Sequence, residues 1–316
     1  MSYQATRTHF EATKTLRDNA LLRFDGVPGY DVYNCSVPFD ADGTRYIYGR
    51  IERRDEWAQS HTRLFREIAP DHYELVPDAA IYPIEDPFIT RIHDEWILGG
   101  THVRFHNGTV ASYYCYFYRG TDPRHLRLYT TGPDLMKDIR PLKLPDGRIG
   151  IFSRPRGPAI QAQHGVEAYI GYTTIDSWAD FDPARIAAAP MIPDLLAPGE
   201  WIGSNQALLL PDGKIGVLAH KGYHDTASAQ SVYTNYAFVY SPADNRVLDQ
   251  HILATSSCYP PFPAKMAHLQ DCTFTSGMRP RADGLWDLYT GLGDTTEGRT
   301  TIEYPFSDFG LPVSVL

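Results

Sequence analysis

The sequence predicts an all-β, five-bladed β-propeller, and three observations carry that expectation. An acidic turn recurs five times, at Asp42-Gly43, Asp94-Glu95, Asp146-Gly147, Asp212-Gly213 and Asp283-Gly284, each followed by an apolar run. Polar side chains stand at fixed distances from these turns: Asn34, Asp86, Asp138 and Ser204 eight residues before the first four, Arg50, His102, Arg154 and His220 eight residues after them, and Gly291 after the fifth. The chain of 316 residues holds 25 Gly and 24 Pro, a turn-rich usage that suits many short strands.

Each repeat can be justified in order. Residues before Asn34 read as a leader, about residues 1–30, with a strand that helps to close a ring. The runs TRYIYGR, EWILGGTH, GRIGIFSR, GKIGVLAH and LWDLYTG share length and apolar character. Each is followed by a Tyr-, Val- or Ile-rich run: HTRLFREI, VASYYCYFY, VEAYIGYTTI, VYTNYAFVY and TTIEYPF. Such residues favour strands. Asn107-Gly108 is a hairpin turn of the type that tolerates two positive φ angles. A period of about 50 residues with three or four strands matches a propeller blade. Pro38, Pro87 and Pro141 fall in candidate first strands, where an edge facing a central channel accepts proline. One helix is expected in FDPARIAAAPM, with Asp182 as N-cap, Pro183 at the first helical position and Pro190 ending it. The expectation is one domain over residues 1–316.

Composition narrows the function. The net charge of −9 argues against a nucleic-acid partner held by bulk electrostatics. Any anion needs a local basic cluster. Cys35, Cys115, Cys258 and Cys272 lack paired spacing and read as reduced thiols, which suits a cytoplasmic protein. No apolar stretch reaches the roughly 20 residues that cross a bilayer, so no membrane partner is expected. No metal and no cofactor is expected either, and a homo-oligomer is left open.

If each turn closes a hairpin, the flanking polar residues gather at the open ends. The candidate ring holds Asn34, Asp86 and Asp138 with Arg50, His102, Arg154 and His220, and Glu85 and Lys137 adjoin it. Arginine, lysine and histidine can hold a phosphate by charge-assisted hydrogen bonds. A carboxylic acid can deliver a proton to a leaving oxygen. An inverting hydrolase needs a second carboxylate to activate water, whereas phosphate is already an anion. Several basic groups around one prominent acid therefore lean toward phosphorolysis. Taken singly, each residue also has a plainer reading: Asp86-Pro87 as a turn, the arginines as surface residues, the histidines as structural ones. Trp57 and Trp201 are candidates for stacking on a sugar.

The motifs resemble a known family. PIEDPFITRI resembles the Glu-Asp-Pro-Arg motif of glycoside hydrolase family 130, the β-mannoside phosphorylases. YNCSVPF with YIYGRIERRD, KDIRPLKLPDGRIGIFSRPRG, WIGSNQALLLPDGKIGVLAHKG and LYTGLGDTTEG resemble later motifs of that family, in order from about Tyr33 to Glu297. More closely, the chain is similar to the domain of unknown function family 1861, a group that includes parasite mannosyltransferase–phosphorylases of β-1,2-mannan.

The resemblance implies an inverting enzyme that turns a β-mannoside oligosaccharide and phosphate into α-mannose 1-phosphate, reversibly, with GDP-mannose as an alternative donor. It implies Asp86 as the proton donor, acting through the sugar 3-hydroxyl. Asn34, Arg50 and Asp294 would hold the sugar, with Glu85, His102 and Asp138 as further substrate-binding candidates. Lys137, Arg154 and His220 would bind phosphate. Two departures stand out: Phe88 replaces the motif's arginine, and Glu200-Trp201 stands where the phosphorylases carry a lysine. They leave room for an inverting hydrolase, with Glu85, Asp138 or Glu200 as base, or for a bulkier donor entering along Trp201. A non-catalytic sugar-binding propeller is the alternative of another class.

Overall fold

The computed structural model describes residues 2–315. Strands dominate. After helix α1 (Tyr3–Thr13), capped by Ser2, the chain forms β1 (Asn19–Leu21), β2 (Arg23–Asp25), β3 (Asp31–Tyr33), β4 (Phe39–Ala41), β5 (Thr44–Glu52), β6 (His61–Ala69) and β7 (His72–Leu75). A second group comprises β8 (Glu85–Ile92), β9 (Glu95–His106), β10 (Thr109–Gly120) and β11 (Arg127–Thr131). A third comprises β12 (Arg140–Lys143), β13 (Ile149–Ser153) and β14 (Gly171–Ile175). A fourth comprises β15 (Glu200–Leu209), β16 (Ile215–Asp225), β17 (Gln230–Ser241) and β18 (Arg246–Ala254), and the last is β19 (Thr273–Pro280), β20 (Trp286–Leu292) and β21 (Thr296–Ile302).

Groups two, three and four are each a separate antiparallel sheet. The first and last groups share one ten-stranded sheet, joined by a parallel contact of Thr296 with Val32. The leader strand β1 pairs with β21, so residues near the N-terminus complete the last meander. All five acidic turns close hairpins, between β4 and β5, β8 and β9, β12 and β13, β15 and β16, and β19 and β20. Positive φ at Asp42 and Gly43, at His93 and Asp94, and at Asn107 and Gly108 explains why these turns use Asn, Asp and Gly. Pro87 and Pro141 lie on β8 and β12, which are terminal strands of their sheets and need no second ladder. Pro38 stands in the loop just before β4. Residues 183–187 form the expected helix, with Asp182 Oδ1 accepting from the Ala184 amide.

The core is divided into clusters that each lie between neighbouring groups. Phe39, Tyr48 and Leu64 meet Ile84, Ile89 and Leu98. Phe88, Phe117 and Cys115 meet Ile149, Ile151 and Trp178. Phe152 and Ile170 meet Val217 and Phe238, and Leu218 and Val239 meet Met278 and Leu288. A further cluster puts Val32, Ile47 and Phe65 against Tyr289 of β20. Each fully buried side chain such as Phe65 or Phe152 contributes about 2 kcal/mol. The four cysteines are buried and unbridged. Among the described residues no helix is long and apolar enough to cross a membrane. None of them forms a cluster of three or more His, Cys, Asp or Glu suited to a metal.

Candidate active site

Short first strands deliver the polar residues by a shared backbone device. Asn34, Asp86 and Asp138 all have left-handed φ, at 45°, 51° and 58°. Asn and Asp tolerate that region better than other residues with a Cβ. At Asp86 the kink coincides with a register shift between Glu85 and Phe88 on β8. Asp294, in the loop after β20, has φ 57°.

The first half of the site centres on Asp86. Asn34 Nδ2 and Arg50 NH1 both donate to Asp86 Oδ1, at 2.8 and 2.9 Å. Both bonds fall on one oxygen, and Oδ2 accepts none from the described residues. Arg50 NH2 also lies 3.2 Å from Glu85 and 3.4 Å from Glu52. Glu52 in turn accepts from Tyr33 and Lys265. The Arg50 guanidinium sits 4.7 Å over the Tyr33 ring. Burial raises Glu85 to about 7, against the pull of Arg50 and with the push of Asp86. Burial also raises Asp294, which feels the charges of Arg50 and Asp86.

The second half centres on Asp138, which is 1% exposed. Arg154 NH1 donates to Asp138 Oδ2 at 2.6 Å, while its Nε donates to the Ile202 carbonyl at 2.8 Å. His220 Nε2 lies 3.8 Å from the same oxygen, and His220 Nδ1 pairs with Asn205 Oδ1 at 2.9 Å. Arg140 NH2 approaches Asp138 Oδ1 to 3.9 Å. Burial would raise Asp138, but Arg154, His220, Lys137 and Arg140 outweigh it and hold the carboxyl below its ordinary range. Burial and the Arg154 charge push His220 well down, so it is neutral. Lys137 is half-buried and makes no ion pair among the described residues. Its charge reaches Glu85 and Asp294 on one side and Asp138 and His220 on the other, which places it between the halves.

Other candidates sit elsewhere. His102 follows Thr101, which is opposite Glu85 in the ladder at the end of β8. There it binds the Pro83 carbonyl at 2.8 Å, stacks on Tyr116 at 4.6 Å, and lines a cavity of about 180 Å³ with Glu85. Glu200 is committed to Lys221 at 3.0 Å and to the Ala197 amide at 3.0 Å. Trp201 is 3% exposed and packs on Gly222, Tyr233 and His224, and Trp57 is 65% exposed. Phe88 carries the Arg140 guanidinium 4.6 Å above its ring, so a cation lies next to the position where the resemblance leads one to expect arginine.

Counting from the turns missed several members. A bulge between Ser204 and Gln206 makes Asn205, not Ser204, the partner of His220. Ser204 donates to the Asp138 carbonyl at 3.3 Å instead. Glu52 and Arg140 follow Arg50 and Asp138 by two residues, a strand-period signal that could have found them. Lys265 lies in a loop with no repeat signal. Glu297, fully buried, accepts from Ser276 Oγ at 2.6 Å and from the Cys35 amide at 3.0 Å, directly behind Asn34.

Comparison with known proteins adds context. Nothing among curated protein sequences matches. Among solved structures, a mannose phosphorylase of Leishmania mexicana (MPT-4), in complex with phosphate ion, is 47% identical, with TM-score 0.93 over 99% of this chain and 96% of that one. A GDP-Man-dependent mannosyltransferase of the same organism (MPT-1) is 44% identical, with TM-score 0.91 over 99% and 97%. The β-1,2-mannobiose phosphorylase of Listeria innocua shares the fold, with TM-score 0.63 at 14% identity over 90% and 92%. A family model described as protein of unknown function (DUF1861) matches residues 8–308. With almost its whole length matched, the chain belongs to the DUF1861 family.

Proposed function

We propose that the protein is an inverting β-1,2-mannoside phosphorylase and mannosyltransferase, built as one five-bladed propeller. The five core clusters support that architecture: four lie between consecutive groups and the fifth between the first and last, as expected when adjacent blades share the ten-stranded sheet.

The observation that carries the functional reading is the division of charge. Lys137, Arg140 and Arg154 face one ionised carboxylate, Asp138, while His220 is neutral; three cations against one anion leave a surplus of two positive charges. That surplus suits a phosphate dianion beside an acid half able to hold a sugar. In the reading offered here Asn34, Arg50 and Asp294 hold the mannose, and Lys137, Arg154 and His220 hold phosphate on its opposite face. Asp86 gives its proton, through the sugar 3-hydroxyl, to the glycosidic oxygen. The bond from C1 to that oxygen breaks as a phosphate oxygen bonds to C1, giving α-mannose 1-phosphate and the shortened saccharide. Asp86 regains a proton from solvent, and the proton that phosphate brought passes to solvent. The similarity to a phosphate-binding mannose phosphorylase and to a GDP-Man-dependent transferase supports mannosyl transfer in both directions.

Hydrolysis would need a free carboxylate to activate water. Glu85 is paired with Arg50, Asp138 is a poor base among its cations, and Glu200 is bound to Lys221. These commitments weigh toward phosphate as nucleophile. The test is incubation with β-1,2-mannobiose with and without inorganic phosphate, following α-mannose 1-phosphate by phosphorus NMR. Phosphate-dependent product supports the reading; release of free mannose at the same rate without phosphate overturns it.

A further inference from the structure

Lys265 belongs to no strand and no repeat, yet its side chain is only 8% exposed. It lies in the connection between β18 and β19. Its Nζ donates to Glu52 of β5 and, at 3.3 Å, to the Arg53 carbonyl, so this connection reaches across to the first group. The same loop grips the turn that carries Asp294. The Lys265 amide donates to the Gly293 carbonyl at 2.8 Å, and Thr295 Oγ1 donates to the Pro263 carbonyl. Gly293 has φ 56°, and a Cβ on it would stand 3.0 Å from Ala264 Cα, so the two backbones are in close contact.

Charge gives this contact a consequence for Arg50. Three carboxylates share its guanidinium: Asp86 at 2.9 Å, Glu85 at 3.2 Å and Glu52 at 3.4 Å. Glu52 is 1% exposed, and its other donors are the Tyr33 hydroxyl, the Gln59 amide and Lys265. Of these three only Lys265 carries a charge. It offsets a buried anion that would otherwise draw Arg50 away from Asp86.

We propose that Lys265 is a positioning residue for the saccharide: through Glu52 it keeps Arg50 on Asp86, and through its loop it holds Asp294 at the sugar. The inference rests on the sugar-holding roles given above to Arg50 and Asp294 and deepens them. Lys265 touches no reacting atom; it couples a sugar contact from the first group to one from the last. Its charge also bears on Asp294, which burial raises. Arg50, Lys265 and Lys137 oppose that rise, Asp86 adds to it, and Tyr33, Tyr233 and Cys272 feel the charge of this carboxyl. Without Lys265 one opposing cation is gone, so Asp294 keeps its proton to a higher pH.

The experiment is steady-state kinetics of the full chain, with β-1,2-mannobiose and inorganic phosphate varied in turn, on the parent, Lys265→Met and Lys265→Arg. Lys265→Met should lower kcat/KM for mannobiose about 10- to 100-fold, the scale of a misplaced contact, and leave the KM for phosphate within about twofold. The acid limb of its pH profile should move to higher pH, and Lys265→Arg, which keeps the charge, should leave the limb where the parent has it. An unchanged kcat/KM in Lys265→Met would overturn the inference. So would a KM for phosphate that rises with that for mannobiose, or an unmoved limb, since a merely structural lysine would spare neither half nor touch ionisation. If Lys265→Met fails to fold, Lys265→Gln carries the same test: its amide is one bond shorter but still donates, and it lacks the charge. Cleavage of mannobiose by the parent without phosphate would sink the phosphorylase reading and leave the mannobiose arm to decide this one. With no turnover at all, mannobiose affinity by titration calorimetry decides: equal affinity of Lys265→Met and parent would overturn the inference, and no binding by the parent would sink both.

Discussion

Gly291 leaves no space for a side chain because Asn34 lies against it: a Cβ there would stand 1.9 Å from Asn34 Oδ1 and 2.7 Å from its backbone nitrogen. The glycine at the fifth repeat position is thus the wall that seats a first-repeat residue. Gly291→Ala should push Asn34 from Asp86, since the nearest backbone cannot yield cheaply. We expect a fall in kcat/KM of about tenfold or more and a stability cost of about 1–3 kcal/mol. Steady-state kinetics beside a urea melt would check it; unchanged kinetics would remove Asn34 from the site.

Asp86→Asn is expected to lower kcat about 10²–10⁴-fold, the usual contribution of a positioned acid. Its amide oxygen can still accept from Asn34 Nδ2 and Arg50 NH1, so the fold and sugar affinity should persist. Pairing turnover with a sugar-binding measurement separates an enzyme from a sugar-binding protein. Near-normal turnover in this variant would exclude Asp86 as the acid.

The distribution of what could be read in advance follows from geometry. Arg50 and Asp86 are 36 residues apart, yet equal offsets from two turns place both at hairpin mouths, and the structure joins them at 2.9 Å. Asn205 was missed because a bulge inserts one residue before it, and an offset counted from the turn then lands on Ser204. His102 kept its offset and lines a cavity with Glu85, but its hydrogen bond goes to the Pro83 carbonyl and its ring to Tyr116, not to Asp86 or Asp138. Lys265 reaches Glu52 from an irregular loop, where no period exists to mark it. Helix α1 carries Tyr3 as its one buried residue, too slight an apolar stripe to announce a helix.

Arg154→Met should strand the Asp138 charge in a buried site. Removing one partner of a buried pair costs about 3–5 kcal/mol, and the Ile202 carbonyl loses its donor as well. Adding Asp138→Asn removes the stranded charge and should recover much of that loss without restoring phosphate-dependent activity. A double-mutant cycle by urea denaturation tests this. An additive cycle would show that the 2.6 Å contact contributes nothing to stability.

Glu297 sets a dependence of stability on pH. Burial, opposed by hydrogen bonds from Ser276 and the Cys35 amide, raises its carboxyl from an ordinary 4.5 to about 7. Between those values the folded chain keeps a proton that the unfolded chain has released, so folding is favoured by low pH. The contribution is fully present below 4.5 and is lost as pH rises to about 7, an effect of about 3 kcal/mol. Glu297→Gln cannot ionise. Its Oε1 can accept from the Cys35 amide while Nε2 donates to the Ser276 hydroxyl, so both contacts survive. Glu85 and Asp294 are also raised and shape the pH profile of both proteins, so the difference between variant and parent isolates Glu297. Urea melts at pH 5 and pH 8 should show the variant gaining on its parent at the higher pH; an equal gap at both would mean that Glu297 does not titrate in this range.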